Sequence, residues 1–192
     1  MSQYNYKNCQ SLFGYAAAVH IRSEGKCQLC GCGSPLDFDL WRQMTVEHLI
    51  GKSQGGYLKQ IRTAVAVRFP DLSPAEHESL SHRLDAKNTV TACSFCNSTT
   101  SRDINKKTMA ELLNEVQGSI SDIEAYISSQ LQLILERKRK DVQWKLSSVR
   151  EAFQNEVHPR VISAGASPTS YAQAGLARSG HTLAVRGVCV RK

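Results

Sequence analysis

The sequence predicts an α+β fold, with a small strand-containing core in the first half of the chain, a helical segment inserted into it and a long amphipathic helix after it. Three observations carry that expectation. Short β-prone runs lie next to two Cys-x-x-Cys pairs, glycine and proline punctuate the chain between them, and apolar residues beyond residue 119 step by three and four. At 192 residues the chain is long enough for one domain with a core plus an arm or tail, and short for two independent domains.

Taken in order, the stretch from Cys9 to Arg22 carries Leu12, Phe13, Ala16, Val19 and His20 at helical spacing, and Ser23-Glu24-Gly25 reads as its stop. From Leu36 to Ile50, Phe38, Leu40, Met44 and Val46 alternate, which predicts a strand or hairpin ending near His48. Gly51 to Gly56 is a loop. Residues 57–87 then read as a helical pair: one helix to Phe69, a Pro70–Pro74 break, and a second helix capped by Ser73, with Pro74 at its first position and Glu76 three residues on. Thr89-Val90-Thr91 is a brief strand leading into Cys93. Lys106 to Gln117 reads as a helix ended by Gly118, and Ser119 to Val157 as one long helix or two shorter ones parted around Arg137-Lys138-Arg139-Lys140. From Pro159 to Lys192 the chain is rich in Ser, Gly and Ala and has no acidic residue, which predicts a flexible basic tail.

Composition narrows the function classes. Apolar residues at 41% and charged residues at 21% fit a folded globular protein, and 24 Lys and Arg against 17 Asp and Glu are compatible with a polyanionic partner. The N-terminus does not resemble a secretory signal, and no run approaches the roughly 20 apolar residues that span a bilayer. The expected setting is the reducing cytoplasm, with no membrane partner. There, seven cysteines argue for metal ligation or free thiols over disulfides.

Cys27-Gln-Leu-Cys30 and Cys93-Ser-Phe-Cys96 have the spacing that lets both sulfurs of a pair reach one ion through a tight turn. Together the pairs complete a tetrahedral thiolate shell for a structural zinc, tying residues near 30 to residues near 93. Cys32 could replace Cys30 in a wider pairing; the tighter spacing favours Cys30. Cys9 and Cys189 have no partner at ligand spacing and read as ordinary thiols.

Between the two pairs lie Val46-Glu47-His48-Leu49-Ile50, the Gly55-Gly56 loop and Asn88, and Asn97 follows Cys96 directly. This ordered set resembles the HNH endonucleases over roughly Lys26 to Arg102. The resemblance implies a ββα-metal core, two antiparallel strands and a helix clasping one catalytic divalent ion. It implies that Glu47 and Asn97 supply oxygen ligands to magnesium or manganese, and that Asn88 holds the loop bearing His48. His48 has the side chain to take a proton from water near neutral pH, which makes it the candidate general base. Neighbours on a strand point to opposite faces, so a bulge or bend at Glu47-His48 is expected if both serve one site. Each residue alone has an ordinary reading as strand end, turn former or helix cap.

The resulting organisation is a zinc-braced nuclease domain over residues 1–117 with a helical insertion at 57–87, a helical arm at 118–158 and the tail at 159–192. Three departures from the family pattern stand out. Glu47 replaces the commoner Asp, Asn97 stands where His is frequent, and the 57–87 insertion fills what is usually a short link. Double-stranded DNA is the expected substrate by analogy, with Lys52, Arg102, Lys106 and Lys107 as candidate phosphate contacts. The arm could track nucleic acid through Arg137 to Lys140, or form a homodimer through its apolar stripe. Two rival readings are a non-catalytic zinc-ribbon module that binds nucleic acid or protein, and a redox protein using a Cys-x-x-Cys pair.

Overall fold

The computed structural model describes residues 17–100 and 107–164. Expectations placed on Cys9, Arg102, Lys106, Cys189 and the tail beyond residue 164 lie outside the described residues. The fold is mixed helix and sheet. In chain order it comprises α1 (Ala17–Arg22), α2 (Phe38–Trp41), β1 (Met44–His48), a 3-10 turn (Lys52–Gln54), α3 (Leu58–Arg68), α4 (Pro74–Asn88), β2 (Thr89–Cys93), α5 (Ser94–Thr99), α6 (Met109–Glu115), α7 (Ile120–Ala152), a π-turn (Phe153–Val157) and α8 (His158–Ser163).

The sheet is one antiparallel pair. β1 and β2 run from Met44 opposite Cys93 to His48 opposite Thr89 with no residue inserted, so the expected bulge at Glu47-His48 is absent. β-Branched residues fill both strands, Thr45 and Val46 against Thr89, Val90 and Thr91. A two-stranded ribbon needs cover, and α1 supplies part of it. Ser23 Oγ donates to Thr91 Oγ1 at 2.6 Å, and Arg22 Nη2 donates to Ala86 O at 2.9 Å and Thr89 Oγ1 at 3.2 Å.

The strand expected over Leu36–Ile50 forms only in its second half. Asp37 caps α2, its Oδ1 accepting the Asp39 and Leu40 N–H groups at 2.8 and 3.2 Å, and Phe38 and Leu40 are exposed. A local side-chain cap has overridden a two-residue alternation that has no partner strand to pair with.

The inserted pair follows the sequence closely. Ser73 and Glu76 form the capping box, Ser73 N donating to Glu76 Oε2 at 2.8 Å, and Pro74 starts α4 where its missing N–H costs nothing. Ile61 and Val65 of α3 and Leu80 and Leu84 of α4 are buried. A second box, Thr108 with Glu111, starts α6, which brings Met109, Leu112 and Leu113 into the core. That helix is shorter than the Lys106–Gln117 expected, because Val116 is already extended (φ −115°, ψ 133°).

Helix α7 is continuous over 33 residues, with Arg137 to Lys140 inside it and no break there. The chain divides into two compact units between Gln143 and Trp144. In the first, the α7 stripe Ile123, Ile127, Leu131, Ile134, Leu135, Lys138 and Val142 is buried. In the second, Phe153 and His158 meet edge to face at 5.8 Å, and α8 continues as helix past Pro159, where composition suggested that the tail begins. No helix among the described residues is long and apolar enough to cross a membrane.

Ile127→Ala should lower the unfolding free energy by about 3 kcal/mol through cavity formation. Trp144→Ala, at a largely exposed site, should change it by less than about 0.5 kcal/mol. Denaturant midpoints of the two variants against the parent check both.

Candidate functional site

The site grows from two backbone turns brought together. In the first, Gly31 N donates to Cys27 O and Cys27 N to Cys32 O, each at 2.8 Å, and Cys30 N points to Cys27 Sγ at 3.4 Å. Gly31 sits at φ +80°, a conformation that favours glycine and lets the chain double back. Gln28 N donates to Thr91 O at 2.8 Å and joins this turn to β2. The second turn is the exit of β2 into α5, where the Ser94 N–H and hydroxyl both reach Gln43 O, at 2.9 and 2.8 Å.

The sulfurs converge there. The Sγ atoms of Cys27, Cys30, Cys32 and Cys93 all lie within 4.8 Å of one another, a set that could hold a metal ion. Cys96 is fully buried and its thiol interacts with those of Cys27, Cys30 and Cys93. The set expected from the sequence is thus corrected at one position: among the four mutually close thiols Cys32 stands where Cys96 was expected, because the Gly31 turn folds Cys32 back onto Cys27, and Cys96 lies next to the cluster. Hydrogen bonds from Cys30 first, then from Cys32, Cys93 and Cys96, hold the Cys27 thiol far below the ordinary cysteine range. Those same bonds to Cys27 push Cys32 and Cys96 up. Converging sulfurs of this kind have the donor chemistry of a soft or borderline metal site.

A second framework lies at the other end of the sheet. Asn88 is fully buried at the end of α4; its Oδ1 accepts Ile50 N at 2.8 Å, and its Nδ2 donates to Ile50 O at 3.1 Å and Gly56 O at 2.8 Å. One side chain thus closes the 50–56 loop. Gly56 is required by the same closure, since a Cβ there would stand 1.7 Å from Ile50 O.

Between these frameworks is a cavity of about 720 Å3 lined by Glu47, His48, Lys52, Tyr57, Asn97 and Lys138, among others. Glu47 and His48 both line it although their strand is regular; β1 ends at His48 and the cavity wraps round that end. The His48 ring stacks on Tyr57 with centroids 4.3 Å apart. Burial lowers the His48 pKa, with Asp85 and Glu47 pulling the other way, and burial raises that of Asp85. A neutral imidazole is the form that accepts a proton.

Thr45 fixes the orientation of Asn97. The Thr45 hydroxyl donates to Ala92 O at 2.9 Å and so accepts from Asn97 Nδ2 at 2.8 Å. The amide oxygen is then the Asn97 atom left for a cation. With the Glu47 carboxylate lining the same cavity, two hard oxygen donors of the kind magnesium or manganese takes face one space. Lys138 complicates that set: its Nζ lies 2.6 Å from Glu47 Oε1, with the lysine side chain 3% and the glutamate 16% exposed.

The structure therefore gathers Glu47, His48 and Asn97 at one cavity with Lys52 at its exposed rim, and puts Asn88 behind it. Asn97 lies within α5, not at its start. Lys107 is paired with Glu115 and is not among the lining residues of this cavity. Another cavity, about 680 Å3, is lined by Ile21, Leu36, Phe38 and Trp41 among others and holds none of the expected site residues.

Sequence reasoning missed the position of Lys138, which was read as part of a basic run that could part the helix or track nucleic acid. Arg139 is likewise engaged, its Nε donating to Gln28 O at 2.8 Å. The signal was present, because Ile134, Lys138 and Val142 continue the four-residue step of the buried stripe. Comparison with protein-family models, curated proteins and solved structures finds no match to this chain.

Cys27→Ser and Cys93→Ser should each strip the protein of a tightly held metal, read by elemental analysis after gel filtration. The same assay on Cys32→Ser and Cys96→Ser separates which of the two completes the set. Asn88→Ala leaves several buried backbone groups without partners and should cost about 3 kcal/mol of stability, measured by urea unfolding.

Proposed function

We propose that this protein is a metal-dependent endonuclease of the HNH type, hydrolysing phosphodiester bonds, with double-stranded DNA as substrate and a structural zinc in the thiol cluster. One observation carries the reading: Glu47 and His48 of one strand and Asn97 of the helix after the second cysteine pair border a single cavity. A two-stranded sheet leading into a short helix is the frame that a ββα-metal site requires.

On this reading His48 takes the proton from the attacking water at an imidazole nitrogen, and its burial keeps that nitrogen free to accept. Tyr57 holds the ring plane by stacking, and Asn88 holds the loop that follows it. Glu47 and Asn97 present oxygen ligands, and magnesium or manganese bound there would offset the charge that grows on the phosphate. Lys52 at the rim meets a neighbouring phosphate. The thiol-bound zinc stays out of the chemistry, since four sulfurs leave it no open position.

The ion pair between Lys138 and Glu47 favours a second reading, a zinc-ribbon module that binds nucleic acid without cutting it, because it neutralises the carboxylate. A homodimer would need a face other than the α7 stripe up to Val142, which is buried in its own unit; Val149 and Phe153, both exposed, offer one.

Incubation of purified protein with supercoiled plasmid separates the readings. Nicking or linearisation is expected with magnesium or manganese, with loss in EDTA and recovery on adding back the ion. His48→Ala should lower the rate at least about 100-fold with plasmid binding retained. Binding without cleavage in either ion would instead support the ribbon module.

A further inference from the structure

Lys138 is the one charged residue in the buried stripe of α7. Helical spacing asks for an aliphatic residue at that position, and such a residue would complete the stripe from Ile134 to Val142. Burying an ammonium is costly, and replacing a buried ion pair by apolar side chains is often neutral or stabilising. Packing alone therefore does not account for a lysine here.

Its surroundings supply a reason. Lys138 lines the same cavity as His48 and Asn97, and its pair with Glu47 uses Oε1, leaving Oε2 outside that pair. The neighbouring Arg139 is tied to Gln28 O, so this turn of α7 is anchored to the cysteine turn and the lysine is held in place. A buried ammonium held in place at the wall of a cavity is an anion-binding group that needs little reorganisation when charge arrives.

We infer that Lys138 is the phosphate-binding group of this cavity, its ammonium taking a non-bridging oxygen of the phosphodiester while Glu47 keeps a second oxygen for the divalent ion. The catalytic half of this inference rests on the nuclease reading; the anion site does not. Helix α7 then belongs to the active site itself, and with a divalent ion held by Glu47 the cavity would offer a second cationic centre beside the ammonium. Each would stabilise charge on the same phosphate.

The test compares the full-length parent with Lys138→Met and Lys138→Arg in two measurements. The first follows the His48 ring resonances during titration with dimethyl phosphate in magnesium. The second follows plasmid nicking in the same ion. Lys138→Met should weaken dimethyl phosphate binding at least tenfold and slow nicking at least about 100-fold, and Lys138→Arg should recover part of both. Lys138→Gln repeats the comparison should the Met variant fail to fold.

Binding by Lys138→Met equal to the parent's, or no binding by the parent, would overturn the inference. Faster nicking by Lys138→Met would also overturn it, since the ammonium would then be competing with the divalent ion. A parent that binds dimethyl phosphate through Lys138 but cuts nothing in magnesium or manganese would support the anion site and defeat the nuclease reading.

Discussion

The convergence of two cysteine turns is the constraint on which the rest of the first unit depends. Residues 27–32 and 93–96 are far apart in sequence, and between them the sheet contributes only two five-residue strands. Two strands in water are marginal, so the ends of this ribbon need a tie that apolar burial alone does not provide. The clustered thiols could meet that need at one end by holding a metal ion, where the Gln28 to Thr91 hydrogen bond carries the first turn onto β2 and Gln43 O receives the start of α5. The position of Asn97 follows from that tie. It is adjacent to Cys96, and its amide is oriented by a threonine that is itself oriented by β2.

The other end of the ribbon is held by hydrogen bonds instead. Asn88 reaches from the end of α4 to both backbone groups of Ile50 and to Gly56, so the loop after His48 is fixed by the side chain on which that helix ends. With the thiol cluster at one end and an amide at the other, the strand between them presents Glu47 and His48 to a common space. Helix α7 closes that space with Lys138, at the cost of a buried charge that an apolar residue would have avoided.

Much of this was legible because the signals were local. The Ser73–Glu76 box and the three-four step of α7 each specify an element through residues at most four apart, and both formed. Failures came where two local signals competed or where tertiary structure decided. At Phe38 and Leu40 an alternating pattern lost to the Asp37 cap, because no strand was available to pair with it. At Lys138 the residue type pointed to solvent while the helical period pointed inward, and the period won. For Cys32 and Cys96, spacing ranks the candidates, but only the folded turns bring both thiols to the same three neighbours. The convergence of Glu47 and His48 without a bulge was not readable either, since it depends on where β1 ends relative to the cavity.

Paramagnetic relaxation by manganese tests most directly whether the thiol cluster holds a hard-cation site together. With metal on the cysteines, substoichiometric manganese should broaden the His48 ring and Asn97 side-chain amide signals ahead of all others, and stripping the thiol-bound metal should abolish that selectivity. Broadening scattered over surface carboxylates, or unchanged at His48 after stripping, would contradict the dependence of the cavity on the sulfur tie.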